Sequence, residues 1–265
     1  MAQIRPARQR VPAQSAMGRV ISAQSASSPR TPLAVFLGAS PLRPELRHDY
    51  RAALAELEAG EVLDGLGQRW DVLHDLPLAN GALDHLVIGP TGVFALRTLY
   101  CGGRDAVIDG AGLTVGGITH DDLARARGEA HEVARVLEQS TGEPVPVRAL
   151  LVIVEARRIV QRVPAAAVRV VAVRELERML TRGPQVLSGE RVAALSDAAD
   201  RTDTWPLADT TAADTRALHL EFVELRTLVR HAIARRVFWA VTAFVVGYGG
   251  ICALVAVVVT TALRA

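Results

Sequence analysis

The stretch Leu83–Gly103 reads LDHLVIGPTGVFALRTLYCGG. Two apolar runs of strand length flank Gly89-Pro90-Thr91-Gly92, residue types that favour a tight reversal. The segment therefore predicts a strand over Leu83–Ile88, a turn, and a strand over Gly92–Tyr100. Asp84 lies in the first strand. Arg97 and Leu99 lie in the second, two residues apart and hence on one face.

Working outward, Pro44–Leu66 predicts a helix, with Tyr50, Leu54, Leu57, Glu61 and Asp64 along rows of helical spacing. Arg69–Leu78 alternates as a strand around Trp70, Val72 and Leu73. On the other side, Val107–Ile108 and Leu113–Val115 predict a small hairpin around Asp109-Gly110-Ala111-Gly112. Asp121–Gln139 predicts a helix with Ala124, Ala130, Val133 and Leu137 on one face and charge on the other. Val145–Val154 is almost continuously apolar, as a strand buried on both faces would be. Val168–Val173 predicts a further strand. Glu175–Thr181 and Ser188–Ala199 predict two surface helices.

The flanks differ in character. Residues 1–30 carry five arginines and no acidic residue among Ala, Gln, Ser and Pro, which predicts a disordered basic leader. Residues 205–212 read as a linker. Residues 213–236 predict an amphipathic juxtamembrane helix with Leu218, Phe222, Leu225, Val229 and Ile233 at three- and four-residue steps. Val237–Leu263 then runs without a charge, long enough as a helix for about 40 Å. That predicts one C-terminal transmembrane helix, with Phe238 and Trp239 at an interface. Arg226, Arg230, Arg235 and Arg236 precede it and only Arg264 follows. This asymmetry predicts a single-pass protein of the cell membrane with its soluble domain in the cytoplasm. The partners expected from this part are the lipid bilayer and a second copy of the chain through 213–263.

Composition removes several chemistries. All 30 basic residues are arginine, so no lysine can serve as nucleophile, Schiff base or phosphate clamp. The net charge of +2 supports no global electrostatic attraction to nucleic acid. Cys101 and Cys252 form neither a disulfide framework nor a metal-ligand spacing. His74, His85, His120 and His131 are likewise scattered, and His85 should face away from Asp84 and pack or hydrogen-bond.

The predicted element order is α-β-β-β-α-β, the order of restriction-endonuclease-like cores. LHDLPL at 73–78, LDHLVIGPTGVF at 83–94 and the strand continuing to Gly103 resemble the nuclease-related domain (NERD) family. VRVVAVRELERMLTRGPQVLSGERVAAL at 168–195 resembles the C-terminal part of that domain in actinobacterial members. The resemblance implies an α/β fold of PD-(D/E)xK type, a mixed sheet flanked by helices, over residues 45–204.

In such a site two carboxylates hold Mg²⁺ through oxygen ligands, and the ion activates water and neutralises charge developing on phosphate. The resemblance places the strand aspartate, a metal ligand, on Asp84 and the ExK carboxylate and lysine on Arg97 and Leu99, where neither type is present. It places a helix glutamate on Glu56, with Glu61 as an alternative register. Arg97 cannot coordinate a metal and stays protonated. It reads either as a partner of Asp84 or as a phosphate-binding group.

The expected function is a membrane-anchored binding or interaction module with a degenerate nuclease-like site. Two alternatives stand beside it. One is a Mg²⁺-dependent nuclease using Asp84 and Glu56; the other is a structural, self-associating membrane protein. No cofactor is expected, and Mg²⁺ only under the nuclease alternative. Nucleic acid is a partner by inheritance alone.

Overall fold

The computed structural model describes residues 7–25, 31–201, 203–205 and 215–262, the side chains of 249–262 excepted. By internal packing the chain forms two units, Met1–Val20 with His48–Leu218, and Ile21–Arg47 with His219–Ala265.

The helices are α1 (Gln14–Ser25), α2 (Pro32–Phe36), α3 (Arg47–Asp64), α4 (Asp122–Thr141), α5 (Leu176–Thr181), α6 (Gly189–Asp200) and α7 (Thr215–Ala262). The strands are β1 (Asp71–Leu78), β2 (Gly81–Gly89), β3 (Gly92–Tyr100), β4 (Ala106–Asp109), β5 (Gly112–Val115), β6 (Ile118–His120), β7 (Val147–Val154), β8 (Ile159–Val163) and β9 (Val168–Ala172).

In the first unit, five strands form a mixed sheet in the order β1-β2-β3-β7-β9. The first three are antiparallel, and β7 pairs in parallel with β3 on one side and β9 on the other. The β2–β3 reversal pairs Gly89 with Gly92. A Cβ on Gly89 would lie 2.1 Å from the Trp70 ring, so this strand end admits no side chain. β7 is buried from Ala149 to Val154, as its unbroken apolar run requires.

Alternation along β3 splits the core in two. Val93, Ala95 and Leu99 join Ala126, Ala130 and Val133 of α4. Phe94 and Leu96 join Ala55, Ala59 and Leu63 of α3 and Leu176 and Leu180 of α5. The sheet therefore lies between α4 on one face and α3 with α5 on the other. On α3 the buried row is Tyr50, Ala53, Glu56, Gly60 and Leu63. Small side chains, rather than Leu54 and Leu57, bring this helix close to the strands.

A second sheet, β6-β5-β4-β8, contains the predicted hairpin. β8, to which the sequence reading assigns no element, pairs in parallel with β4. Four of its five residues are exposed, so it carries little of the apolar pattern that marks a strand. Ser188 caps α6, accepting from Arg191 N at 3.1 Å.

The largest departure from expectation lies near the N-terminus. Residues 7–9 form a 3-10 turn and 14–25 form α1, with Ala7, Ala13, Ala16, Met17 and Val20 buried. The expected leader lacks acids of its own, but within this unit the acids lie elsewhere. Arg8 pairs with Asp71 at 2.7 Å and Arg19 with Asp49 at 3.1 Å.

In the second unit, α7 is continuous across the expected boundary at 236. Phe222, Leu225, Val229 and Ala232 are buried, whereas Ile233 is exposed. Among the described residues no helix is long and apolar enough to cross a membrane. The side chains of 249–262, and residues 263–265 entirely, lie outside the described residues. The described part of α7 keeps charges as far as Arg236, so a span over 237–263 rests on the sequence alone. Most of the expected linker, 206–212, also lies outside the described residues. Trp205 at its start is buried and donates from Nε1 to Ala199 O at 2.7 Å.

The N-terminal contact is testable at Gly60, where a Cβ would lie 2.5 Å from Pro12 Cγ. Alanine ordinarily favours a helix interior over glycine by about 1 kcal/mol. Here we expect Gly60→Ala to cost about 1–3 kcal/mol through overpacking, and Pro12→Gly in the same chain to recover most of that loss in urea unfolding. A Gly60→Ala variant more stable than wild type would mean that Pro12 does not pack there.

Candidate functional site

A cleft of about 700 Å³ opens in the first unit at the end of the β1-β2-β3 sheet, lined by residues of α1, α3, α4 and these strands. Glu56, Asp75, Asp84, Arg97, Thr98 and Glu129 all reach it.

Asp84 is buried, and its Oδ2 accepts from Thr98 N at 2.6 Å and from Thr98 Oγ1 at 2.7 Å. Burial pushes its carboxyl upward, against the opposing pull of Arg97 and the Thr98 bonds. Glu56, buried on α3, is pushed well above the usual carboxylate range by desolvation and then by Asp84 and Asp75. Glu61, the alternative position, is exposed.

Arg97 does not make its hydrogen bonds to Asp84. It points from β3 to α4, where Nε donates to Asp122 Oδ1 at 2.8 Å and Nη1 to Glu129 Oε1 at 2.5 Å. Desolvation disfavours the charged guanidinium, but Glu129, Asp84 and Asp122 outweigh it and raise its pKa further. Asp84 is therefore an electrostatic neighbour, and the ion pairs go to the helix. Burial also pushes Glu129 up to about 7, with Arg97 opposing. Its Oε2 is buried with no hydrogen-bond partner among the described residues. Leu99 follows β3's alternation into the α4-side core and is a packing residue.

Asp75, a member of the cleft inside the strand expected over Arg69–Leu78, sits in the left-handed region at φ 51°. Such strain in a non-glycine residue marks positions held by their surroundings. Arg10 holds it twice, donating from Nε to Asp75 O and from Nη2 to Asp75 Oδ2, both at 2.5 Å. Ser15 adds two donors, N to Oδ1 at 3.1 Å and Oγ to Oδ2 at 2.8 Å. Asp122 and Glu129 gave no signal of their own, because seven residues apart they share the face of α4 that carries Ala126, Ala130 and Val133 against the sheet. Arg10 and Ser15 gave no signal, because their partner is about 60 residues away.

On the far face of β1 and β2, His74 Nδ1 and His85 Nδ1 meet at 2.8 Å, and His74 Nε2 lies 3.4 Å from Asp64. Desolvation holds both rings below the ordinary histidine range. Cys101 is buried, and burial pushes its thiol up to about 11, as for an inert core residue.

Residues 51–154 match NERD, the nuclease-related domain. No curated protein matches the chain. Among solved structures, SfsA of Pyrococcus furiosus in complex with Ca²⁺ matches at TM-score 0.20 and 13% identity, over 57% of this chain and 53% of that one. The chain thus spans about half of SfsA's length, and at this score the likeness carries no argument. The NERD match covers α3 from Arg51 through β7. It contains Glu56, Asp75, Asp84, Arg97, Asp122 and Glu129, but not the Arg10–Ser15 segment.

The residues present do not fit a Mg²⁺ ion. Both oxygens of Asp75 accept from Arg10 and Ser15, one oxygen of Asp84 accepts twice from Thr98, and the Arg97 guanidinium lies against Asp122 and Glu129. Among the described residues, no three His, Cys, Asp or Glu side chains are grouped to hold a metal.

Glu129 gives a pH signature. Its folded value of about 7 lies above the ordinary 4.5. The folded state therefore holds this proton more tightly, and the stability it contributes is full below pH 4.5 and lost as pH rises through 7. Glu129→Gln cannot titrate, whereas Asp84 and Glu56 remain in both proteins. We expect the stability of wild type relative to Glu129→Gln to fall between pH 4.5 and 7.5 by at most about 3 kcal/mol. Urea midpoints at several pH values measure this, and a difference that stays flat would place Glu129 in the ordinary range.

Proposed function

We propose that this chain is a membrane-anchored NERD-related module whose nuclease-like site binds rather than cleaves. One observation carries the reading: Arg97, where the resemblance calls for the ExK carboxylate, is held by Asp122 and Glu129. A permanent cation at that point repels a divalent ion and cannot accept a proton from water.

The cleft residues do different work. Arg97 and Arg10 neutralise buried carboxylates, Thr98 holds Asp84, and Glu56 in its protonated form offers a donor into the cleft. Such a site can recognise a polar ligand through fixed donors and acceptors without activating a nucleophile. The anchor is the uncharged run 237–263 with the arginines that precede it, which favour a cytoplasmic position for the first unit.

The test is hydrolysis by the full chain in detergent or vesicles, with Mg²⁺ or Mn²⁺, on single- and double-stranded DNA and on RNA. We expect no metal-dependent cleavage, and no metal-binding heat in calorimetry that Glu56→Ala removes. Robust cleavage abolished by Asp84→Ala would overturn the proposal in favour of a nuclease with an altered ligand set.

A further inference from the structure

Resting on the membrane-anchored reading above, we propose that α2 is a second membrane contact, a foot fixed to α7 that inserts its apolar side chains at the bilayer interface beside the anchor. In the sequence, TPLAVFLG at 31–38 is a short apolar run without a role. In the second unit it becomes a built element. Thr31 caps α2, its side chain accepting from Ala34 N at 3.3 Å, and Pro32 occupies the first turn.

The C-terminal carbonyls of α2 are taken up by α7. Arg235 Nη1 donates to Val35 O at 3.2 Å, Trp239 Nε1 to Phe36 O at 2.9 Å and Arg236 Nη2 to Gly38 O at 3.2 Å. The Phe36 and Trp239 rings lie 4.8 Å apart. Gly38 has φ +79°, and a Cβ there would lie 2.6 Å from Arg236 N and 2.7 Å from Ala232 O. Only glycine permits this backbone approach. The contact is therefore specific, although α2 is only five residues long.

What this fixed element presents is apolar. Leu33, Phe36 and Leu37 are 66%, 55% and 52% exposed. On α7 the exposed row continues through Val237, Phe238, Val241 and Phe244. Water does not reward holding large apolar side chains outward at one level of a helix.

Three features point to lipid as the occupant. The apolar surface runs directly into the uncharged sequence 237–263. Its upper limit is set by Arg235 and Arg236, which suit anionic headgroups. At that limit lie Trp239, Phe238 and Phe36, aromatic rings of the kind enriched at membrane interfaces, with the Trp239 indole N–H satisfied by a carbonyl.

The experiment uses the full chain with Cys252→Ser, in vesicles of phosphatidylcholine and phosphatidylglycerol. Buried Cys101 stays unlabelled. An environment-sensitive fluorophore is placed by Leu37→Cys on the foot, Phe244→Cys on the anchor or Glu177→Cys on α5 as an aqueous reference. Lipids carrying a nitroxide high on the acyl chain report contact. We expect loss of fluorescence at 37 and 244 and none at 177. Gly38→Ala, which forces α2 off α7, should restore the signal at 37 and leave 244 quenched.

Quenching at 244 with a bright, water-exposed label at 37 would overturn the foot and leave the anchor standing. Labels bright at both positions would overturn the anchor and the foot together. A label at 37 shielded from water but untouched by nitroxide would mean that a second copy of the chain covers α2, which also overturns the lipid contact.

Discussion

A guanidinium buried among carboxylates governs the first unit. Moving Arg97 out of water is costly, and the charge cannot be discarded because arginine does not lose its proton. Its environment must therefore supply anions, and α4 supplies two, Asp122 and Glu129. Removing one partner from such a pair leaves an uncompensated charge and typically costs about 3–5 kcal/mol. The interaction thus sets the register of α4 across β3 as firmly as the Ala126–Ala130 packing does. It also sets the protonation of the cleft, since Asp84 and Glu56 lie within its field.

The acidic excess left around Arg97 explains why the N-terminal segment folds. With Asp49, Glu56, Asp75, Asp84, Glu129 and Glu132 lining one cleft against Arg19, Arg97 and Arg125, the acids outnumber the guanidiniums. Burial and mutual repulsion push Glu56, Asp84 and Glu129 upward, as crowded carboxylates require. Arg10 relieves part of the imbalance by engaging both the carbonyl and the carboxylate of Asp75. Arg97 and Arg10 bring positive charge to these carboxylates, as a divalent ion would. Unlike that ion, they belong to the chain, take their positions on folding and offer no open coordination site for water.

Local patterns in the sequence made most of the first unit legible. The Gly89–Gly92 reversal, the alternation of β3 and the unbroken apolar run of β7 each reflect a period or a turn residue, and they place Asp84, Arg97 and Leu99 on the correct strands. What was not legible depended on distant partners. Arg97 could be read as facing Asp84 because they are neighbours across a hairpin. Its actual partners come from a helix that crosses the same face some 30 residues later. A basic, acid-poor leader has the composition of disorder when read alone; the acids it needs, Asp71, Asp75 and Asp49, lie in other elements. β8 escaped notice because its residues are mostly exposed, so backbone pairing with β4 rather than burial holds it.

The absence of lysine shapes both units in the same way. Each decisive cationic contact uses more than one donor, or a donor reaching a main-chain oxygen. Arg97 spans two carboxylates, Arg10 a carbonyl and a carboxylate, and Arg235 with Arg236 reach the carbonyls that end α2. A lysine ammonium is a strongly hydrated point charge on a flexible stem, and it loses its proton readily when buried. At position 97 a single ammonium would lack the fork by which Nε reaches Asp122 and Nη1 reaches Glu129 at once. The planar fork keeps its charge and fixes direction, so a buried cation can serve here as a structural joint between a strand and a helix. Such joints hold the lining of the cleft in one shape, as the proposed binding role requires.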